Sequence, residues 1–191
     1  TRYVFDNIGN IFSSKKVSDF MKSQKIHVGM ETVQNYISYL LASYALHKAP
    51  RYDIKGKRLL ELHEKYYLGD IGLRHALFGY REGDLSGILE NIVFLELKRR
   101  GYALYYYKTG NGLEVDFACC TGGKVTQLIQ VTYEMGEERT RHRELRALVK
   151  AMEETGLDTG LIVTYEDEDE IVLDGKLISL VPAFKYLTSD Y

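Results

Sequence analysis

Five cations, Lys48, Arg51, Lys55, Lys57 and Arg58, fall within eleven residues of this 191-residue chain. A run of that density can neutralise phosphate groups without reading bases, although a solvated surface face is its commoner use. A second group of residues is more dispersed. Glu90 lies three and seven residues before Val93 and Leu97 in a helical pattern, so it projects beside the apolar stripe. Asp116 lies in a strand that a turn at Gly123 folds back onto a second strand, which carries Gln130 and Thr132. Residues i and i+2 of a strand share a face, so Gln130 and Thr132 point the same way, and the fold-back sets Asp116 opposite the neighbourhood of Gln130. These carboxylates are either structural, Glu90 pairing with Arg141 or Arg143 and Asp116 bonding a turn, or members of one polar site.

The elements that must position these groups follow from the patterning. Val4, Phe5, Ile8, Ile11, Phe12, Val17, Phe20 and Met21 recur at helical spacing with a break near Ser13-Ser14, which predicts two short helices. Beyond Gly29, the stripe Val33, Tyr36, Ile37, Leu40, Leu41 and Tyr44 predicts a third helix over 30–46. Its polar side offers Gln34, Asn35 and Ser38 but no Lys or Arg for base edges. Pro50 and Gly56 then bracket short strand-like pieces in the basic run, as in a β-hairpin. Three helices followed by a basic hairpin is the order of a winged helix, here over residues 1–64.

Residues 65–191 change character. A strand over 65–69 and a short helix lead to a strong helical stripe over 86–100, closed by Gly101 in the place of a C-cap glycine. A tyrosine-rich strand at 103–108, the hairpin strands 113–120 and 125–133, a charged helix over 137–155 and a strand at 161–165 come next. An acidic loop, 166–170, precedes the last strands. The succession predicts an α/β (α+β) class: a small winged-helix-like domain, then a mixed sheet flanked by helices.

Composition narrows the function classes. With 45% hydrophobic and 27% charged residues the chain is of ordinary globular type, and no apolar run approaches the roughly 20 residues that span a bilayer. Cys119 and Cys120 are adjacent and point to opposite faces of an extended segment, so no disulfide joins them and a reducing, cytoplasmic setting is expected. Neither CxxC nor HExxH occurs, so nothing indicates a structural zinc. No GxxxxGK[ST] occurs either, which excludes a P-loop within these residues. Residues 1–66 carry 11 Lys/Arg against 6 Asp/Glu, whereas 67–191 carry 14 against 21. The two parts are therefore expected to meet different partners. The start, Thr1-Arg2-Tyr3, has no initiator methionine and leads us to expect a piece of a longer protein.

Glu90 on a helix, Asp116 in a strand and Gln130-Val131-Thr132 in its partner follow the order of the PD-(D/E)XK, or restriction-endonuclease-like, fold. Three stretches resemble more closely the C-terminal region, winged-helix segment plus DUF4143 domain, of a family of prokaryotic AAA-type ATPases. They are Tyr66-Tyr67-Leu68-Gly69-Asp70-Ile71-Gly72-Leu73, Leu89-Glu90-Asn91-Ile92-Val93-Phe94-Leu95-Glu96-Leu97 and Asn111-Gly112-Leu113-Glu114-Val115-Asp116-Phe117. Thr140-Arg141-His142-Arg143-Glu144-Leu145 fits the same pattern. In that family an ATP-binding module precedes these two domains.

The resemblance implies a site in which carboxylates from the helix and both strands hold Mg²⁺, with a lysine beside the last carboxylate assisting the attacking water. Here Glu90 and Asp116 match, but Gln130 stands in place of the second strand carboxylate and Thr132 in place of the lysine. A neutral amide contributes no charge to the ion, so the expectation is a vestigial site of Glu90, Asp116 and Gln130 that holds Mg²⁺ or Mn²⁺ weakly and does not hydrolyse efficiently. Lys108 and Lys124 are the candidates for a relocated lysine, with plain surface residues the commoner reading. The reading that follows is a non-catalytic module that meets DNA through the basic hairpin or a protein client, together with its own ATPase domain. An active metal-dependent nuclease and a purely protein-binding domain are its rivals.

Overall fold

The computed structural model describes residues 1–52 and 64–189. The chain divides into two compact units, Thr1–Pro50 with Leu60–Glu82, and Arg51–Leu59 with Gly83–Tyr191. The division therefore falls after the short helix that follows Gly69, further along than the 64/65 boundary drawn from patterning. The reason is pairing: the strand beginning at Glu64 bonds back to residues 46–50 of the first unit.

The first unit runs α1 (Arg2–Asp6), β1 (Ile11–Phe12), α2 (Ser14–Ser23), α3 (Met30–Ala42), β2 (Leu46–Tyr52), β3 (Glu64–Leu68) and α4 (Ile71–Phe78). Helix α2 starts where the Ser13 side chain accepts the Lys16 N–H at 3.4 Å. Strand β3 lies between β1 and β2, antiparallel to both, with Ile11 opposite Lys65 and Leu46 opposite Leu68. Val4, Phe5, Ile37, Leu46, Tyr66 and Leu68 form its core. Helix α3 ends at Ala42, short of the expected 46, because Tyr44 takes a left-handed φ of 57° and turns the chain into β2. Gly69 is required at the other side of this corner, since a Cβ there would run into the Tyr44 carbonyl oxygen. Tyr36 and Tyr44, assigned by spacing to the buried stripe, are instead exposed, as is Tyr39. Arg74 of α4 is 2% exposed, and its Nε–H donates to the Phe5 carbonyl at 3.2 Å.

In the second unit the last two residues of β2 pair in parallel with β4 (Ala103–Lys108). Antiparallel pairing continues through β5 (Glu114–Thr121) and β6 (Lys124–Val131). Strand β6 then pairs in parallel with β7 (Thr159–Thr164), and β7 with β9 (Lys176–Pro182); β8 (Asp169–Leu173) lies antiparallel at the edge. Helices α5 (Leu85–Arg99), α6 (Glu138–Thr155) and α7 (Ala183–Thr188) accompany these strands. The described residues thus form the mixed α/β class expected, with nine strands in mixed pairing flanked by helices. Helix α6 forms the crossover between parallel β6 and β7, and Leu148, Ala151 and Met152 from it join Val115, Leu128 and Ile162 in the core. Cys119 and Cys120 are buried free thiols that burial pushes up to about 12 and about 11. Among the described residues no helix is long and apolar enough to cross a membrane.

A charged clamp fixes α7 to α5. Glu96 accepts from Arg99 and from Arg100, each at 2.7 Å, and Arg100 reaches the Tyr186 carbonyl at 2.6 Å while lying over the Tyr186 ring. The hydrogen bond from Arg99 is the main cause holding the Glu96 carboxyl at about 2, with burial opposing it and Arg100 adding to it. A depressed carboxylate stabilises the fold above its ordinary value of 4.5, and that contribution is lost as pH falls toward 2. Glu96→Gln is therefore expected to cost about 2–3 kcal/mol at pH 7. Urea midpoints at pH 7 and pH 3 should show the difference between wild type and variant shrinking at the lower pH.

Candidate functional site

Strand register brings two of the four suspected residues into contact. Phe117 faces Ile129, which sets Asp116 opposite Gln130 one step along. The Asp116 N–H donates to Gln130 Oε1 at 3.2 Å, and the Val131 N–H donates to Asp116 Oδ2 at 3.1 Å. Both side chains are buried. Thr132 is buried just past the end of β6, and its hydroxyl donates to the Glu134 carbonyl at 3.1 Å. Glu90 is half-buried on α5, which packs against β5 and β6.

Glu144, which sequence patterning does not single out from its motif, completes this cluster. It is 5% exposed on α6 and is held by Arg143, whose guanidinium donates to it at 2.5 and 3.0 Å. Burial pushes the Glu144 carboxyl above its usual range; Arg143 and a hydrogen bond from Gln130 oppose this, while the nearby charge of Asp116 adds to it. Arg143 is raised in turn, chiefly by its hydrogen bond to Glu144. The sequence carries the signal for this: Glu144 lies three, four and seven residues before Ala147, Leu148 and Ala151, a carboxylate in line with a buried stripe. Arg141, the other partner suggested for Glu90, pairs with Asp169 at 3.2 Å.

A divalent ion fits this arrangement poorly. The Gln130 oxygen already accepts the Asp116 N–H, and one Asp116 oxygen already accepts from Val131. Glu144 is neutralised by Arg143. Among the described residues, no three His, Cys, Asp or Glu side chains group so as to hold a metal ion. Lys124 pairs with Thr121 at the turn end of the hairpin, about 17 Å along the strand from Asp116, and Lys108 ends β4 opposite Glu114.

The basic run divides differently from its even appearance in sequence. Lys48 is engaged by Glu64 at 3.0 Å across the β2–β3 pair. Arg51 is half-buried at the β4 edge, where its charge acts on Tyr107. Lys55, Lys57 and Arg58 lie outside the described residues. Exposed basic side chains also occur on α6, where Arg139, His142, Arg143 and Arg146 share one face at helical spacing.

Residues 85–186 match a domain of unknown function, DUF4143. The chain belongs to the DUF4143 family. Asp116, Gln130, Arg143 and Glu144 all lie within the DUF4143 match, while residues 1–84 match a second domain of unknown function, DUF8612. The junction of the two coincides closely with the division between the compact units. An uncharacterized protein of Haemophilus influenzae is 30% identical over 173 residues, covering 85% of this chain and 42% of that protein. The uncharacterized protein MJ1544 of Methanocaldococcus jannaschii is 35% identical over 187 residues, covering 93% of this chain and 41% of that protein. The chain thus spans about two fifths of the length of these curated relatives. No solved structure matches it.

Proposed function

We propose that this chain is the non-catalytic interaction module of a larger ATP-hydrolysing protein of AAA type, its second unit a PD-(D/E)XK-like sheet whose metal centre has become a structural hydrogen-bond network. The observation that carries this reading is Gln130. Its amide satisfies the Asp116 N–H and also supports the Glu144 carboxylate, two tasks that a third carboxylate at this position would not perform together. Gln130 brings no negative charge and Glu144 is paired with Arg143, so the cluster offers a divalent ion little uncompensated charge, and the position taken by the nuclease lysine is Thr132, whose hydroxyl is turned to a backbone carbonyl. The relatives are more than twice as long as the matched segment, which leaves room for an ATP-binding module.

The first unit supports an interaction role. Its third helix exposes Tyr36, Tyr39 and Met30, with Gln34, Asn35 and Ser38 between them and no cation among them, a face suited to a protein partner rather than to base edges. Supercoiled plasmid incubated with the chain in Mg²⁺ or Mn²⁺ should remain supercoiled. Nicking that disappears in Asp116→Ala would overturn the non-catalytic reading and restore the nuclease.

A further inference from the structure

We infer that the exposed face of α6 is a binding site for the phosphate backbone of a nucleic-acid strand. A depression of about 450 Å³ is lined by Arg139, Thr140, His142, Arg143 and Arg146 with Leu113. It continues into a second one, of about 410 Å³, through His142 and Arg146, and there Asn111, Asp174 and Lys150, the last paired with Glu153 at 2.8 Å, join the wall. The whole trough follows one helix face, from residue 139 to 150, a run of about 16 Å. The opposite face of α6, with Ala147, Leu148, Ala151 and Met152, is buried in the core, so the cations are held on a fixed support.

Two features distinguish this stripe from an ordinary solvated face. Residues 67–191 carry net negative charge, yet four arginines fall within the eight residues 139–146. Arg141 and Arg143 have carboxylate partners, whereas among the described residues no ion pair or hydrogen bond engages the side chains of Arg139, His142 or Arg146. Arg139 and Arg146, which have no carboxylate partner of their own among the described residues, share this face with the paired Arg143, and a polyanion relieves the repulsion among the three guanidinium groups. Guanidinium groups one helical turn apart, on a shallow open trough, suit successive phosphates of a strand better than a single enclosed nucleotide. Glu137 lines one end of the trough and Glu153 and Asp174 the other, so the site proposed is the stretch between them, Arg139 to Arg146.

This inference deepens the interaction-module reading by naming the partner of the second unit, and rests on it only in that the bound strand stays uncut. The test is fluorescence anisotropy of the whole chain with a labelled 30-nucleotide single strand at 50 mM salt, for wild type and Arg139→Ala/Arg146→Ala. Both substituted side chains are exposed and unpaired among the described residues, so the thermal unfolding of the variant should match wild type. Binding should weaken at least tenfold, and the slope of log affinity against log salt should shrink by about 1.4, because two phosphates are no longer neutralised. Tripolyphosphate at equal charge should compete less well than unlabelled strand, and oligoglutamate should not compete. Equal binding by the variant, no binding by wild type, displacement by oligoglutamate, or tripolyphosphate competing as well as strand would each overturn the assignment. Plasmid nicking is read separately, so cutting with intact α6 binding would sink only the non-catalytic reading.

Discussion

Gln130→Glu is expected to lower the stability of the second unit by about 3 kcal/mol at pH 7 and to make the remainder respond to Mn²⁺. The introduced carboxylate would keep an oxygen for the Asp116 N–H, but it would present negative charge to Glu144, where the amide now gives support. Asp116 and Glu144 already act on one another as like charges, so a third carboxylate has to be protonated or neutralised. A carboxyl pushed above its ordinary range favours the folded state at low pH and loses that contribution as pH rises through its folded value. The variant should therefore lie closest to wild type in mildly acidic buffer and farthest from it at pH 7 to 8. Millimolar Mn²⁺ should raise its melting temperature and leave that of wild type unchanged. Equal stability of the two proteins across this range would remove the bridging role of Gln130.

Arg74→Ala is expected to cost the first unit about 3–5 kcal/mol, whereas Arg81→Ala should cost less than about 1 kcal/mol. Both arginines approach Asp6, at 3.5 and 3.2 Å, and both lie over the Phe78 ring. They differ in burial: Arg74 is 2% exposed and Arg81 49%. The buried one also donates to the Phe5 carbonyl and thereby ties α4 to α1, while the exposed one is screened by water. Hydrogen exchange on each variant should show protection lost in α1 and α4 for Arg74→Ala, and little changed for Arg81→Ala. Matching exchange patterns would mean that burial does not set the difference.

What is legible in the sequence, and what is not, follows from the range of the forces concerned. Local periodicity places α5 and α6 within a residue or two, and folding the hairpin at Gly123 brings Asp116 to the neighbourhood of Gln130. It is the one-residue register shift between Cys119 and Cys120, not legible in the sequence, that sets the two directly opposite. The end of α3 is not legible, because Tyr44 continues the apolar spacing while its backbone turns left-handed, a choice that spacing does not encode. The division of the chain is hidden for a related reason. Charge changes sign near residue 66, but β3 belongs by hydrogen bonding to the strand before it. Glu144 escapes notice because helical spacing alone does not show which strand residues lie beneath a helix. Only the β6–α6–β7 crossover sets that carboxylate near Asp116 and Gln130. The basic run looks uniform because sequence does not show Glu64 engaging Lys48 across a strand pair.

Asp116, Gln130 and Glu144 bond to protein partners, and on the proposed function they are expected not to act as a metal centre. Calorimetric titration of the wild-type chain with Mn²⁺ at pH 7 reads this directly. The structure predicts heats no larger than those of dilution up to millimolar ion, in wild type and in Asp116→Asn alike. A saturable isotherm in wild type that vanishes in Asp116→Asn would contradict it.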